Sequence, residues 1–282
     1  FTMPIFLIIK TEKHFFKWQF YLVGTSLFRY IEIISEPNIL ETDLLNKALK
    51  EIIKRFSPFK VLFYAITLSK MTNRTFFEMN KFNRIYDFGS SIVDLSLPEE
   101  QLFQNIHPKH RNSIKKAEKD GVVIFEDTTL IGIREFHKIA IETYKRSNKR
   151  GLDINYLIKH FNALKDSKNI RIFFAKKEKV IQAGAIFLVS NNMSIYWHGA
   201  SINNPSSGST NLLHWEAIKI FKSAGLKFFD LGGLSLNTSD EKAQSISRFK
   251  IRFGGEVKMF YGGVKIINKF KNYLFEVIKK WK

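Results

Sequence analysis

From residue 122 onward the hydrophobic pattern of the chain alternates between a helical and a strand period, and this alternation narrows the folds it can adopt. Apolar residues recur at helical spacing in some segments and form short β-branched or aromatic runs in others. The helical segments are 129–147, 154–166, 212–224, 245–253 and 268–282, and the strand segments are 122–125, 170–175, 180–189, 193–199, 228–231 and 257–261. Strands that alternate with helices predict sheets covered by helices. We therefore expect an α/β (α+β) fold with mixed, twisted sheets.

The length of 282 residues predicts two domains, because one domain usually takes about 100–200 residues. The first hundred residues contain strand-like runs and one clear helix, which ends before Pro58. Gly121 ends a later, basic helix, so we expect a first domain over 1–121 and a second over 122–282. Since the chain opens at Phe1 rather than Met, we expect the first domain to be incomplete at its N-terminus.

The charge balance is strongly basic, with 45 Lys and Arg residues against 26 Asp and Glu residues and a formal net charge of +19. Such a field favours polyanionic partners, namely nucleic acid, phosphorylated substrates or an anionic membrane. Compositional bias is the alternative, because Lys, Ile, Asn and Phe are abundant together.

The C-terminal segment 268–282 also allows two interpretations. Its basic amphipathic pattern fits a helix that docks back on the first domain, and it also fits a helix in peripheral contact with an anionic membrane.

The chain contains no cysteine, which excludes disulfides, thiolate nucleophiles and cysteine zinc sites. A reducing compartment follows most simply, so we expect a cytoplasmic location, with the inner face of the membrane as the alternative.

No segment reaches the roughly 20 apolar residues that span a bilayer. His107 and His110 have no companion carboxylate, and the HExxH, GxSxG and P-loop motifs are absent. We therefore expect no stable metal and no serine nucleophile.

A strand at 193–199 runs into a loop of small residues, Asn204 to Thr210, that precedes a helix. Backbone N–H groups at such a helix start can hold a phosphate or an oxyanion. The order of strand, loop, helix and strand around Gly208 and Gly232 predicts that the strands at 193–199 and 228–231 separate. We expect the ligand cleft at that separation.

Three segments stand in a fixed order along the chain, at 110–122, 212–233 and 247–256. In this order and spacing they resemble the Fem family of peptidoglycan-bridge aminoacyltransferases, and the resemblance covers roughly residues 100–265. It implies two GNAT-like domains. It also implies transfer of an amino acid from aminoacyl-tRNA to an amine of a nucleotide- or lipid-linked muropeptide. No cofactor is implied, since the aminoacyl ester is already activated.

The resemblance further implies roles for particular residues. Lys250, which follows Phe249, matches a family lysine that stabilises the oxyanion formed during transfer. The stretch after the helix at 129–147 matches family residues that hold the nucleotide-diphosphate part of the acceptor, although Ser147 stands where the family has Thr. The candidate catalytic residue is Lys250, and the candidate substrate-binding residues are Phe249, Arg150, Tyr156, Ser147, Arg111 and Arg252.

Two rival functions remain open at this point. An N-acyltransferase of the GNAT type would use acyl-CoA on a sugar or polysaccharide amine. Its pyrophosphate loop, Q/R-x-x-G-x-G/A, is matched here only at Gly208, because Pro205 and Thr210 occupy the other two positions. A non-catalytic RNA-binding protein would explain the charge, but the sequence has no RNP-like motif.

Overall fold

The structure is a computed structural model that describes residues 2–10, 15–24, 29–33, 42–56, 63–71, 74–147 and 151–280. Its strands are β1 (Thr2–Lys10), β2 (Phe15–Gly24), β3 (Arg29–Ile33), β4 (Phe63–Met71), β5 (Arg84–Asp94), β6 (Val122–Glu126), β7 (Ile170–Lys177), β8 (Val180–Val189), β9 (Met193–Ser201), β10 (Phe228–Leu234) and β11 (Glu256–Ile266). Its helices are α1 (Thr42–Phe56), α2 (Arg74–Met79), α3 (Glu99–Asn105), α4 (Pro108–Lys119), α5 (Leu130–Arg146), α6 (Ile154–Leu164), α7 (Ser209–Ser223), α8 (Glu241–Ile251) and α9 (Lys269–Lys280).

The chain forms two compact units, and their limits differ from the expected boundary at residue 121. One unit is Phe1–Phe88 with Met259–Lys282, and the other is Gly89–Lys258. Packing explains the difference: Ile114 and Ala117 of α4 are buried in one core with residues of α7, so α4 belongs to the second unit.

The first unit combines a sheet with α1, α2 and α9. Its strand order is β1-β2-β3-β4-β11, in which β3 and β4 are parallel and the other neighbours are antiparallel. Helix α1 buries Leu45, Leu49 and Ile52, which recur at helical spacing along one face. These side chains pack with Trp18 of β2 and Phe76 of α2 in one core.

The second unit is a six-strand sheet with helices on both faces, in the order β5-β10-β9-β8-β7-β6. Neighbouring strands are antiparallel except β9 and β10, which are parallel, so the sheet is mixed as expected. Successive residues of a strand face opposite sides of the sheet. Phe173 accordingly lies in the core beneath α4 and α7, and Phe174 lies in the core beneath α5 and α6.

The predicted separation of two central strands is confirmed. Pairing between β10 and β9 extends only from Phe228 opposite Met193 to Asp230 opposite Ile195. Beyond these residues β9 continues to Ser201 and β10 continues to Leu234 without pairing to each other.

The basic segment after residue 98 forms two helices rather than a single one. Pro108 lacks the N–H that a continuing helix requires, so α3 ends and α4 begins there, with the His107 side chain accepting a hydrogen bond from the Lys109 N–H. The residues Leu102, Ile106, His110, Ile114 and Ala117 along the two helices are buried. No helix within the described ranges has both the length and the apolar character needed to cross a bilayer.

Candidate active site

A cavity of about 790 Å³ lies in the second unit, beside the part of β9 that does not pair with β10. The last turn of α5, the loop before α7, the start of α7 and one side of α8 form its other walls. Three cationic side chains line it, those of Arg146, Lys242 and Lys250, and none of the described lining residues is Asp or Glu. The cavity therefore has the charge expected of a site for an anionic ligand.

A β-bulge in β10 between Asp230 and Gly233 lies where β10 stops pairing with β9. The buried Asp230 carboxylate accepts hydrogen bonds from the Ser90 hydroxyl and, at 2.7 Å, from the Gly232 N–H. Gly232 has φ +78°, and a Cβ there would lie 3.0 Å from the Tyr196 carbonyl oxygen. Only glycine takes this conformation and this close approach without strain. The bulge directs the Gly233 carbonyl toward α8, where Lys250 bonds to it.

Lys250 projects from α8 to this bulge. Its Nζ donates to the Gly233 carbonyl oxygen at 2.9 Å and lies 5.8 Å from the centroid of the Tyr196 ring. Burial lowers the pKa of the Lys250 ammonium, while the nearby Asp230 carboxylate acts in the opposite direction. An ammonium has three donors. With one of them committed to Gly233, Lys250 retains donors for a ligand oxygen in the cavity.

Two histidines hold the segment around Phe249. His110 Nε2 donates to the Phe249 carbonyl oxygen at 3.1 Å, and its ring packs against the rings of Phe249 and Phe253 at centroid distances of 5.1 and 4.9 Å. His214 packs against the same two rings at 5.4 and 5.3 Å. The backbone directly before Lys250 is therefore fixed from both α4 and α7.

His214 is the more deeply buried of the two histidines. Its Nδ1–H donates to the Thr210 carbonyl oxygen at 2.8 Å, whereas its Nε2 is buried without a hydrogen-bond partner. The ring meets Tyr196 edge to face, at a centroid distance of 4.5 Å. Burial lowers the pKa of His214 to about 4, and burial likewise lowers the pKa of His110 to about 4. Both rings are therefore neutral near pH 7.

A bulge shapes β9 where it lines the cavity. Phe187 of β8 pairs with Tyr196 and Ile186 pairs with His198, so Trp197 is an extra residue on β9. The Tyr196 hydroxyl lies where a Cβ on Gly199 would be, which excludes any larger residue at 199. His198 lines the cavity, its Nε2 is buried without a partner, and burial lowers its pKa to about 4.

Helix α7 begins at the cavity wall. Its N-cap is Gly208, with φ +80° and no side-chain hydrogen bond to the first turn. A Cβ on Gly208 would collide with the Ser113 carbonyl oxygen of α4, so close packing on α4 requires glycine here. Ser209 and Thr210, the first residues of the helix, line the cavity. The N-terminal end of a helix carries a partial positive charge, which adds to the cationic character of the site.

The structure brings three of the seven predicted site residues to this cavity, namely Lys250, Phe249 and Ser147. Ser147 ends α5, and its hydroxyl donates to the Thr143 carbonyl oxygen at 2.8 Å. Tyr156 lies outside the lining, 41% exposed on α6, with its ring centroid 5.8 Å from that of the lining residue Trp197.

Two of the predicted arginines, Arg111 and Arg252, lie outside the lining of the cavity. The Arg111 guanidinium donates to the Gln104 and Ile106 carbonyl oxygens and thereby caps the end of α3. Arg252 is the C-cap of α8, and its carbonyl oxygen accepts from the His107 N–H at 2.9 Å. Arg150 lies outside the described residues.

Arg146 and Tyr196 are cavity residues that the sequence did not single out as site residues. Arg146 donates to the Asn203 side chain at 2.8 Å and to the Ser201 carbonyl oxygen at 2.9 Å, which ties α5 to the end of β9. Its signal in the sequence was the basic run that also contains Arg150, and helical spacing alone does not tell which of these arginines faces the cleft. Across the ranges that the structure covers, no three His, Asp or Glu side chains approach as a metal-binding group.

Comparison with known proteins relates this fold to a family. The sequence model of the FemAB family matches residues 157–280. The crystal structure of FemX has a TM-score of 0.75 and 15% identity, and the match covers 98% of this chain and 90% of that one. No curated protein matches the sequence significantly.

Two other solved structures are similar over most of their length. The C-terminal domain of a putative lysylphosphatidylglycerol synthetase from Agrobacterium fabrum has a TM-score of 0.59 and 12% identity, with 97% of this chain and 88% of that chain covered. A tandem GNAT protein from the clavulanic acid biosynthesis pathway has a TM-score of 0.53 and 8% identity, with coverage of 93% and 83%. These likenesses confirm the predicted GNAT-like α/β fold.

Proposed function

We propose, from the match of the FemAB family model to residues 157–280, that this chain is a Fem-family enzyme that transfers an amino acid from aminoacyl-tRNA to an amine of a cell-wall peptide precursor. The family match and the GNAT-like fold support a transferase. The donor, the acceptor and the residues that act on them are part of the proposal.

The placement of Lys250 carries the proposal. A partly desolvated ammonium is held at the strand separation by the Gly233 carbonyl and faces a cavity whose described lining has no carboxylate. Acyl transfer builds negative charge on the carbonyl oxygen of the donor ester. A fixed donor in a site of low dielectric stabilises that charge more strongly than water does.

The reaction follows from this arrangement. The neutral acceptor amine attacks the ester carbonyl carbon, a C–N bond forms, and the carbonyl oxygen becomes an oxyanion that accepts a hydrogen bond from Lys250. The ester C–O bond then breaks, the amide forms, and the proton lost by the amine passes to the leaving ribose oxygen. His198 is a weak proton acceptor because burial lowers its pKa to about 4. We therefore assign the proton transfer to the substrates rather than to His198.

The rest of the cavity suits the 3′ end of a charged tRNA. The cations Arg146 and Lys242 and the start of α7 offer positive charge for its phosphates. The nucleotide- or lipid-linked muropeptide would enter from another side, with Tyr156, Ser147 and Arg150 retained as predicted contacts for it.

The start of α7 at the cavity wall also favours a second candidate, an N-acyltransferase that uses acyl-CoA. A helix N-terminus beside Arg146 could hold a pyrophosphate as well as a nucleic-acid phosphate. In that case the sugar or polysaccharide amine would replace the peptide amine as the acceptor.

A transfer assay separates these functions. Purified protein is incubated with a mixture of charged tRNAs or with acetyl-CoA, together with a panel of muropeptide and amino-sugar acceptors, and the products are read by mass spectrometry. We expect an aminoacylated muropeptide that forms only with charged tRNA. Acetylated product would favour the acyl-CoA enzyme instead. Binding of tRNA without transfer to any acceptor would contradict both and would fit a non-catalytic RNA-binding protein.

A further inference from the structure

Helix α9 presents an apolar face that the described structure leaves uncovered. Its sequence, KFKNYLFEVIKK, places Phe270, Tyr273 and Val277 at i, i+3 and i+7, with Leu274 and Ile278 beside them. Residues at these spacings share one face of a helix. The helix is well defined at its start, because the Asn268 side chain accepts a hydrogen bond from the Lys271 N–H at 2.9 Å.

Exposure of this face is large for side chains of this kind. Phe270 is 70% exposed and Tyr273 is 65% exposed, and Val277 and Ile278 also face solvent. Helix α9 contacts β4, yet none of its described side chains is among the buried residues of the core formed by α1, α2 and the strands of its unit. Aromatic side chains grouped on one exposed helix face mark a surface that binds a partner.

The charges around the face indicate which partner it fits. The helix contains four lysines and one glutamate, and Lys269 and Lys271 flank the exposed Phe270 at the start of the helix. The whole chain carries a net charge of +19. A helix with an aromatic apolar face and a basic border lies in the interface of a bilayer, with the rings at the level of the headgroups and the lysines on anionic lipids.

We propose that α9 is an interfacial helix that binds the surface of an anionic phospholipid bilayer through Phe270 and Tyr273. This inference goes beyond the proposed transfer reaction and does not depend on it. Apolar burial supplies the part of the binding that resists salt, and the lysines supply a part that salt screens.

Vesicle co-sedimentation of the full chain tests the proposal. The probes are vesicles of phosphatidylcholine alone and vesicles of phosphatidylcholine mixed with phosphatidylglycerol. We expect binding to the mixed vesicles, weaker binding to phosphatidylcholine alone, and a partial loss of binding as salt is raised. Failure to bind the mixed vesicles at low salt would overturn the proposal.

A matched pair of variants separates the helix face from general charge. The double variant Phe270→Ser/Tyr273→Ser should lower partitioning onto the mixed vesicles by about tenfold or more, because it removes apolar contact and leaves every charge in place. The control is Ile131→Ser on α5, where the apolar side chain is 68% exposed, and it should bind as the unaltered protein does. Circular dichroism melts verify that both variants fold.

Three results would contradict the proposed occupant of the face. Binding of the double variant equal to that of the unaltered protein would mean that net charge alone attracts the chain to the vesicles. An equal loss in Ile131→Ser would mean that α9 is not the binding surface. A dimer in light scattering that the double variant abolishes would mean that a second copy of the chain covers the face.

Discussion

Replacement of Lys250 is expected to lower turnover much more than it weakens substrate binding. Lys250→Ala should lower kcat about 100-fold and change the KM of the acceptor little, because the lost hydrogen bond is strongest when the oxyanion has formed. Lys250→Arg keeps the charge but moves the donors outward, so it should restore only part of the rate. Steady-state kinetics of the transfer reaction measure both effects.

The control for Lys250 is a lysine of similar chemistry in open solvent. Lys138 on α5 has a side chain that is 68% exposed, and Lys138→Ala should leave kcat and KM unchanged. Near-normal turnover in a well-folded Lys250→Ala protein would show that Lys250 is a structural lysine bonded to Gly233 and nothing more.

The buried ring of His214 is expected to make the protein less stable in acid. Its pKa is about 4 in the folded chain, against about 6.5 for a free histidine, so the unfolded chain takes up a proton at a higher pH than the folded chain does. The free energy of unfolding should therefore fall as pH falls from about 6.5 to about 4. In His214→Gln this pH dependence should be weaker, as followed by thermal melts across that range. A slope identical to that of the unaltered protein would contradict the assignment.

Roles of single residues were only partly predictable from the sequence. Lys250 was singled out because it directly follows Phe249, and both residues line the cavity. This signal could be found because it is local to one helix. Arg111 stands in an equally basic segment, yet it caps α3. Its role depends on the break at Pro108 and on the angle between two helices, and neither property follows from helical periodicity.

At the scale of elements, the bulge of β10 between Asp230 and Gly233 is expected to couple backbone conformation to catalysis. Gly232→Ala should destabilise the fold by roughly 1–2 kcal/mol, because φ at this position is +78°. It should also lower kcat, because a Cβ would lie 3.0 Å from the Tyr196 carbonyl oxygen and 3.5 Å from Lys250 Nζ. Denaturant unfolding measures the first effect, and the transfer assay measures the second.

Gly225 offers a matched control for Gly232. It has φ +81°, and a Cβ there would meet nothing within 4 Å. Gly225→Ala should therefore cost a similar unfolding free energy and leave kcat unchanged. Equal losses of kcat in the two variants would mean that the effect of Gly232→Ala comes from general instability.

The order of elements was more predictable than their irregularities. The separation of β9 and β10 follows from the sequence of strand, loop, helix and strand, and the structure confirms it. The bulge at Trp197 could not be predicted in the same way, because an extra residue appears only when β9 is aligned with β8. Strand β5 was also missed. Helix α2 was missed because its residues Phe76 and Phe77 are buried side by side and obscure the helical period.

At the scale of the whole molecule, the net charge of +19 predicts that tRNA binding depends strongly on salt. Each phosphate neutralised by a lysine or arginine releases counterions, so several such contacts lower affinity by about 10³-fold or more between 50 and 200 mM salt. Filter binding or fluorescence anisotropy at several salt concentrations gives the slope. In Arg146→Gln/Lys242→Gln, two cavity cations are removed and the slope should be reduced by about two contacts. Affinity that is flat with salt would mean that the basic composition has no role in binding tRNA.

The division of the chain into units has a consequence for the order in which they can form during synthesis. The residues of β11 that pair with β4, Tyr261–Ile266, follow Gly89–Lys258 in the chain. On the ribosome the second unit is therefore complete in sequence first, and β4 lacks its neighbour β11 until the later residues are made. Until β11 emerges, β4 presents unpaired N–H and C=O groups along one edge, which is the kind of edge that nascent chains aggregate through. The unit whose synthesis begins first therefore completes its sheet last.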